Sequence, residues 1–210
     1  MKTEIYENTE SKNRIIELFG LPKSGKSTYI ERVKKEGKKV FSENEINYLQ
    51  KTLLFLKYWA KHPISTAYLF YMMNSNWVKM NLGFFEYLKI WRMRNSYLAA
   101  VFAKYEYLRN YNYEIYADEF IMQSIFMIFH KKAEEREIRK VLEKLPKSRK
   151  ILILEEEKEK RYERWKKIKK PARSINIEYR MKWWANSEKN YEVIKKIISQ
   201  RKQYILTSIE

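Results

Sequence analysis

Along most of the chain apolar residues recur at helical intervals, and five short runs break that rhythm: IIELF (15–19), KKVF (38–41), YEIYAD (113–118), KILILE (150–155) and YILTSI (204–209). Runs this short, rich in β-branched and aromatic residues, predict strands. Strands alternating with helical segments predict an α/β domain with a mostly parallel sheet, because parallel neighbours need crossover connections and these are usually helices. Five such strands suffice for a three-layer core.

The spacing of the runs is uneven. Between residues 44 and 112 no strand pattern occurs, only aromatic and aliphatic residues at helical spacing, as in LLFLKYWAKH and FFEYLKIWRMRNSYLAAVFAKYEYL. This predicts a helical insertion between the second and third strands, divided into three helices at Pro63 and Gly83. A second helical block over 157–202 opens with a charge run and breaks near Pro171. With no internal repeat and no long linker, residues 1–210 read as one domain.

Only four glycines occur in the chain, and two of them, Gly20 and Gly25, fall in the stretch GLPKSGKST. The stretch satisfies G-x-x-x-x-G-K-[ST], with an apolar strand before it and an amphipathic helix after it, the context that motif needs. Glycine opens backbone conformations in which successive N–H groups face phosphate oxygens, and a helix N-terminus adds positive potential. The expected phosphate-binding set is Gly20, Lys23, Ser24, Gly25, Lys26, Ser27 and Thr28. Lys26 is expected to bridge the terminal phosphates of ATP, and Ser27 to place its hydroxyl on Mg²⁺.

A phosphate loop also needs an acidic partner, and YEIYADEF ends the third run with Asp118 and Glu119. Asp118 is the metal candidate, and Glu119 the group that orients or deprotonates an acceptor hydroxyl. After the fourth run, EKEKRYERWKKIKKPAR supplies Arg161, Arg164, Lys167 and Lys169. A basic segment at this place, over 157–175, is expected to act as a lid that neutralises charge and excludes water.

Taken in order, IIELFGLPKSGKST, YADEFIMQSIF, ILILEEEKEKRYERW and YILTSI resemble the thymidylate-kinase-like branch of P-loop kinases, and especially small bacterial nucleoside and nucleotide kinases. The resemblance implies a P-loop NTPase three-layer fold with a five-stranded parallel sheet, ATP and Mg²⁺. It also implies Lys26 and Ser27 on phosphate and metal, Asp118 and Glu119 as the acidic pair, Gln123 on the acceptor side and Arg164 as the first lid arginine. The chain departs from the pattern at Lys23 and Phe120, where glycines are usual, at Glu155, where aspartate is usual, and at Ile168, the place of the second lid arginine. Lys167 and Lys169 flank Ile168, but lysine lacks the planar fork of arginine.

Charge and composition narrow the surroundings. A formal net charge of +18 suits nucleotides, nucleic acid or other polyanions. The absence of cysteine excludes disulfides and thiolate metal sites, and a cytoplasmic setting is the expectation. Neither a secretory leader nor a membrane span is legible. For the acceptor, the aromatic insertion with Arg92 and Arg94 suggests a nucleoside or nucleoside monophosphate, although aromatic stripes at helical spacing usually build core. Two other readings stand beside this one: a polynucleotide 5′-kinase or related nucleic-acid-directed enzyme, and a nucleotide-binding interaction module without turnover. A homodimer is compatible with all three.

Overall fold

The computed structural model describes residues 2–8, 11–42, 45–76, 84–166, 177–200 and 204–207. Its strands are β1 (Lys2–Asn8), β2 (Ile15–Phe19), β3 (Ile115–Ala117), β4 (Lys150–Glu155) and β5 (Tyr204–Thr207), in the order β3-β2-β4-β1-β5. The helices are α1 (Lys26–Lys35), α2 (Tyr48–Lys61), α3 (Pro63–Ser75), α4 (Phe84–Leu108), α5 (Ile125–Ile128), α6 (Glu135–Lys144), α7 (Lys158–Lys166) and α8 (Ile177–Gln200).

The sheet is mixed: four of its five described strands run in one direction, and the N-terminal strand, which the sequence pattern did not predict, runs against them. β2 pairs in parallel with β3 and β4, while β1 pairs antiparallel with both β4 and β5. Since β5 opposes β1 and β1 opposes β4, β5 runs in the same direction as β4. The N-terminal strand is thus a reversed insert between two co-directional strands. Its sequence, KTEIYEN, has no apolar run; two flanking ladders hold it, with Tyr6 buried in the larger core and Ile5 packed against the smaller one. The expected strand at 38–41 shrinks to one parallel bridge between Val40 and Tyr116, held by Phe41 N–H to the Tyr116 carbonyl (2.9 Å) and Tyr116 N–H to the Lys39 carbonyl (3.0 Å). Two adjacent lysines, Lys38 and Lys39, give this run little apolar surface to bury.

Every residue of β2 is buried, as in a strand covered on both faces. Ile16 and Leu18 share one face with Leu152 and Leu154 and pack on Tyr29, Ile30 and Val33 of α1. Ile15 and Phe19 belong to the larger cluster on the other face, with Phe102, Phe126, Ile194 and Ile198. The period-two alternation of β2 therefore sorts its side chains into two cores, giving helix, sheet and helix layers.

The insertion forms three helices, with Pro63 at the first turn of α3, where its missing N–H costs nothing. α2 begins in a capping box, Asn47 Oδ1 accepting from Gln50 N–H (2.9 Å) and Gln50 Oε1 accepting from Asn47 N–H (3.1 Å). Its aromatics divide: Tyr58 is buried and stacks on Phe102 with ring centroids 4.6 Å apart, whereas Tyr48 and Trp59 are exposed. Gly83 and Pro171 lie outside the described residues.

Candidate functional site

β2 delivers the chain to residues 20–25, and α1 receives it at Lys26. Two residues of this loop take left-handed backbone angles, Lys23 (φ 68°) and Gly25 (φ 93°). A non-glycine residue there carries strain of order 1 kcal/mol or more, which makes Lys23 in the usual glycine's place a stressed point of the loop. Gly20 answers a different need: a Cβ on it would lie 2.6 Å from both the Leu154 carbonyl oxygen and Ser24 Oγ. Ser24 Oγ itself is buried with no hydrogen-bond partner among the described residues, as suits a loop shaped around a ligand.

Lys26 is 7% exposed, and its Nζ donates to the carbonyls of Gly20 (3.0 Å) and Leu21 (3.3 Å). Burial pulls its pKa down, and the nearby carboxylates of Asp118 and Glu119 oppose that pull. The ammonium is therefore a desolvated cation facing an acidic pair.

Asp118 and Glu119 follow β3 directly. Glu119 adopts φ 46°, with its N–H donating to Asp118 Oδ1 (2.8 Å). The Asp118 carbonyl accepts from Lys104 Nζ (2.7 Å), a mostly buried ammonium lying 4.7 Å from the Phe41 ring centroid and 5.2 Å from that of Phe120. Phe120, in place of a glycine, is fully buried and lends its ring to this contact.

The segment is fastened from below by Glu17. This side chain, wholly buried on the larger-core face of β2, accepts from Met122 N–H and from Ser148 Oγ–H (2.8 Å). Burial pushes its pKa up to about 7 from an ordinary 4.5, against the lowering effect of those hydrogen bonds. The folded state then binds a proton more tightly than the unfolded chain, so its stabilising contribution is complete below pH 4.5 and is lost as pH rises through 7. The difference amounts to roughly 3 kcal/mol. Glu17→Gln is expected to flatten the decline in unfolding free energy between pH 5 and 8, as measured by urea titration at several pH values. An unchanged decline would assign it to other groups.

These elements enclose a cavity of about 400 Å³. Lys23, Gly25, Lys26, Ser27, Thr28, Asp118, Glu119, Gln123 and Arg164 all line it, as do Tyr97, Phe126, Met127 and Trp183. Gln123 Oε1 is buried without a hydrogen-bond partner among the described residues. Trp183, on α8, donates its indole N–H to the Phe126 carbonyl (2.9 Å), which fixes the ring as a wall. Arg164 spans from α7 to the loop, donating to the Lys23 carbonyl (3.0 Å) and to Glu156 Oε2 (2.7 Å).

Other expected site residues lie elsewhere. Arg94 is fully buried and bonds the carbonyls of Met73, Met127 and Ile128, so it holds α3 and α5 in place instead of facing the cavity. Arg92 is exposed along α4, in a separate groove with Leu88 and Trp91. Arg161 is buried in an ion pair with Glu188 (3.0 Å), a brace between α7 and α8. Glu155 takes hydrogen bonds from Lys195 and from Tyr191 Oη (3.4 Å) and does not line the cavity. Lys167 and Lys169 lie outside the described residues. His130 is buried beside the Tyr179 hydroxyl, and burial holds its pKa well below the usual value.

Sequence reasoning missed Glu17 and the cavity-wall residues Tyr97, Phe126 and Met127. Glu17 had one signal, the single charged letter inside the buried run IIELF. The oxygen donors lining the cavity, the hydroxyls of Ser27 and Thr28 and the carboxylates of Asp118 and Glu119, suit Mg²⁺, which keeps several waters and relies on substrate phosphates to complete its shell. Among the described residues no helix is long and apolar enough to cross a membrane. No protein-family model, curated protein or solved structure matches the chain.

Proposed function

We propose that the chain is a P-loop phosphotransferase that moves the γ-phosphoryl of ATP to a hydroxyl of an uncharged, flat acceptor of nucleoside type. The observation that carries this reading is the single cavity in which the Lys26 loop faces Asp118 and Glu119. The loop amides and Lys26 would hold the triphosphate, and Ser27 with Asp118 would hold Mg²⁺, which draws charge from the phosphate oxygens when bound. The acceptor oxygen attacks the γ-phosphorus while the bond to the β-phosphate oxygen breaks and ADP leaves. Glu119, which lines the same cavity, would take the hydroxyl proton. Arg164, beside the loop at Lys23, supplies positive charge near the transferring group.

The acceptor's character is argued from the far wall. Tyr97, Gln123, Phe126, Met127 and Trp183 offer aromatic and apolar surface with one unsatisfied amide oxygen, and among the described residues the cations of the cavity are all on the loop side or α7. Such a wall favours a planar heterocycle with an N–H donor over a second phosphate. That choice narrows the acceptor class from nucleoside or nucleoside monophosphate to nucleoside.

The test is acceptor-stimulated ADP formation with Mg²⁺, comparing nucleosides, their monophosphates and oligonucleotides. Stimulation by a nucleoside, reduced about a hundredfold or more in Asp118→Asn, is the expected result. Turnover confined to monophosphates or to oligonucleotide ends would refute the acceptor assignment, and full activity in Asp118→Asn would refute the metal role.

A further inference from the structure

We infer that the chain has a second oxyanion site, a basic cleft at the opposite end of β2 from the phosphate loop, that takes a phosphate group. The cleft has a volume of about 440 Å³ and lies where the turn after β1, the end of α4 and the approach to β4 meet. Five residues of β2, about 15 Å of strand, separate it from the loop at residues 20–25.

Its floor is built and rigid. The amide of Asn13, itself 7% exposed, is fully engaged, Nδ2 donating to the Lys147 carbonyl (2.7 Å) and Oδ1 accepting from the N–H groups of Ile15 and Arg149 (3.1 Å each). Arg149 Nη1 donates to the Ser11 carbonyl (3.0 Å), and its other end is neutralised by Glu7 (2.8 Å). The turn is thereby stapled to the strand beside it.

Its rim is cationic. Lys12, Arg109 and Lys147 line the cleft with Asn8, Ser11 and Tyr105, and among the described lining residues none is a carboxylate. The nearest buried acid, Glu106, is shared by Arg109 (3.2 Å), Lys57 (3.5 Å) and Lys61 (2.5 Å). Glu106 thus answers Arg109 only in part, since two lysines share it. The carbonyl end of α4 opposes an anion here, which makes the expected affinity modest. The Asn110 amide beside two lysines and a guanidinium suits a tetrahedral, doubly charged oxyanion. Part of the +18 net charge thus has a specific place.

The experiment uses the full chain carrying Lys26→Ala, which weakens the first loop, and titrates it with inorganic pyrophosphate by calorimetry. Saturable binding of one pyrophosphate is expected, weakened at least about tenfold by adding Lys12→Ser and Lys147→Ser. The latter keeps the main-chain carbonyl that Asn13 uses. Adding Lys34→Ser and Lys35→Ser on α1 instead is expected to change nothing. Absence of binding in the Lys26→Ala protein, or equal loss from the α1 pair, would overturn the site. A labelled single-stranded oligonucleotide distinguishes the sources of the phosphate. Displacement by pyrophosphate, with the salt dependence falling by about one per lysine removed, assigns the site to a nucleic-acid backbone. Oligonucleotide binding that ignores the two lysines, while pyrophosphate binding is lost, assigns it to a free oxyanion.

Discussion

Replacing Lys26 by alanine is expected to weaken Mg-ATP binding about 10- to 100-fold while changing the unfolding free energy by no more than about 1 kcal/mol. The first figure is the worth of a charge-assisted hydrogen bond to a phosphate, about 1.5–3 kcal/mol. The second follows from where the ammonium sits. It is buried, and its pKa is lowered, so the folded chain already bears a desolvation cost that its two bonds to the Gly20 and Leu21 carbonyls only partly offset. Alanine removes both the cost and the bonds, and the freed carbonyls adjoin a cavity wide enough for water. Isothermal titration with Mg-ATP and chemical denaturation on the same preparation separate the two effects. A large loss of stability with unchanged nucleotide affinity would make Lys26 a structural lysine.

Arg94→Ala is expected to do the reverse, lowering the unfolding free energy by about 3–5 kcal/mol with nucleotide affinity nearly constant below the melting temperature. The guanidinium is 0% exposed and donates to three main-chain carbonyls, at Met73 (2.5 Å), Met127 (3.0 Å) and Ile128 (3.2 Å). Burial drags its pKa down to about 10, so the charge is tolerated only because these acceptors surround it. Truncation leaves the carbonyls at the ends of α3 and α5 buried and unpaired, in a void the size of the lost side chain. Lysine is expected to rescue little, since one ammonium does not reproduce a planar fork. If Arg94→Ala kept wild-type stability but raised the acceptor KM, the residue would belong to substrate binding after all.

The geometry of the candidate site was legible in part. The loop at residues 20–28 was legible because its motif is local: two glycines, a lysine and a hydroxyl at fixed offsets between a strand and a helix. Asp118 and Glu119 were legible for the same reason, as acids at a strand end. Arg92 and Arg94 were not separable by sequence, because two residues apart on α4 they point to different surroundings, one to solvent and one into the core. β1 was hidden by its composition, since a strand flanked by two partners needs main-chain pairing more than apolar side chains. Glu17 bonds across 105 residues to Met122 and Trp183 across 57 to Phe126, and no local pattern encodes such contacts.

The most direct test of the central claim is a residue-resolved titration of the ¹⁵N-labelled chain with Mg-ATP, following backbone amide shifts. The account predicts saturable shifts concentrated at Lys23, Ser24, Gly25, Lys26, Ser27 and Thr28, with smaller ones at Asp118 and Glu119, all reduced together in Lys26→Ala at a ligand concentration near the wild-type midpoint. Shifts confined to Ser11, Lys12 and Asn13 in the distant cleft, or none in the loop at saturation, would contradict it.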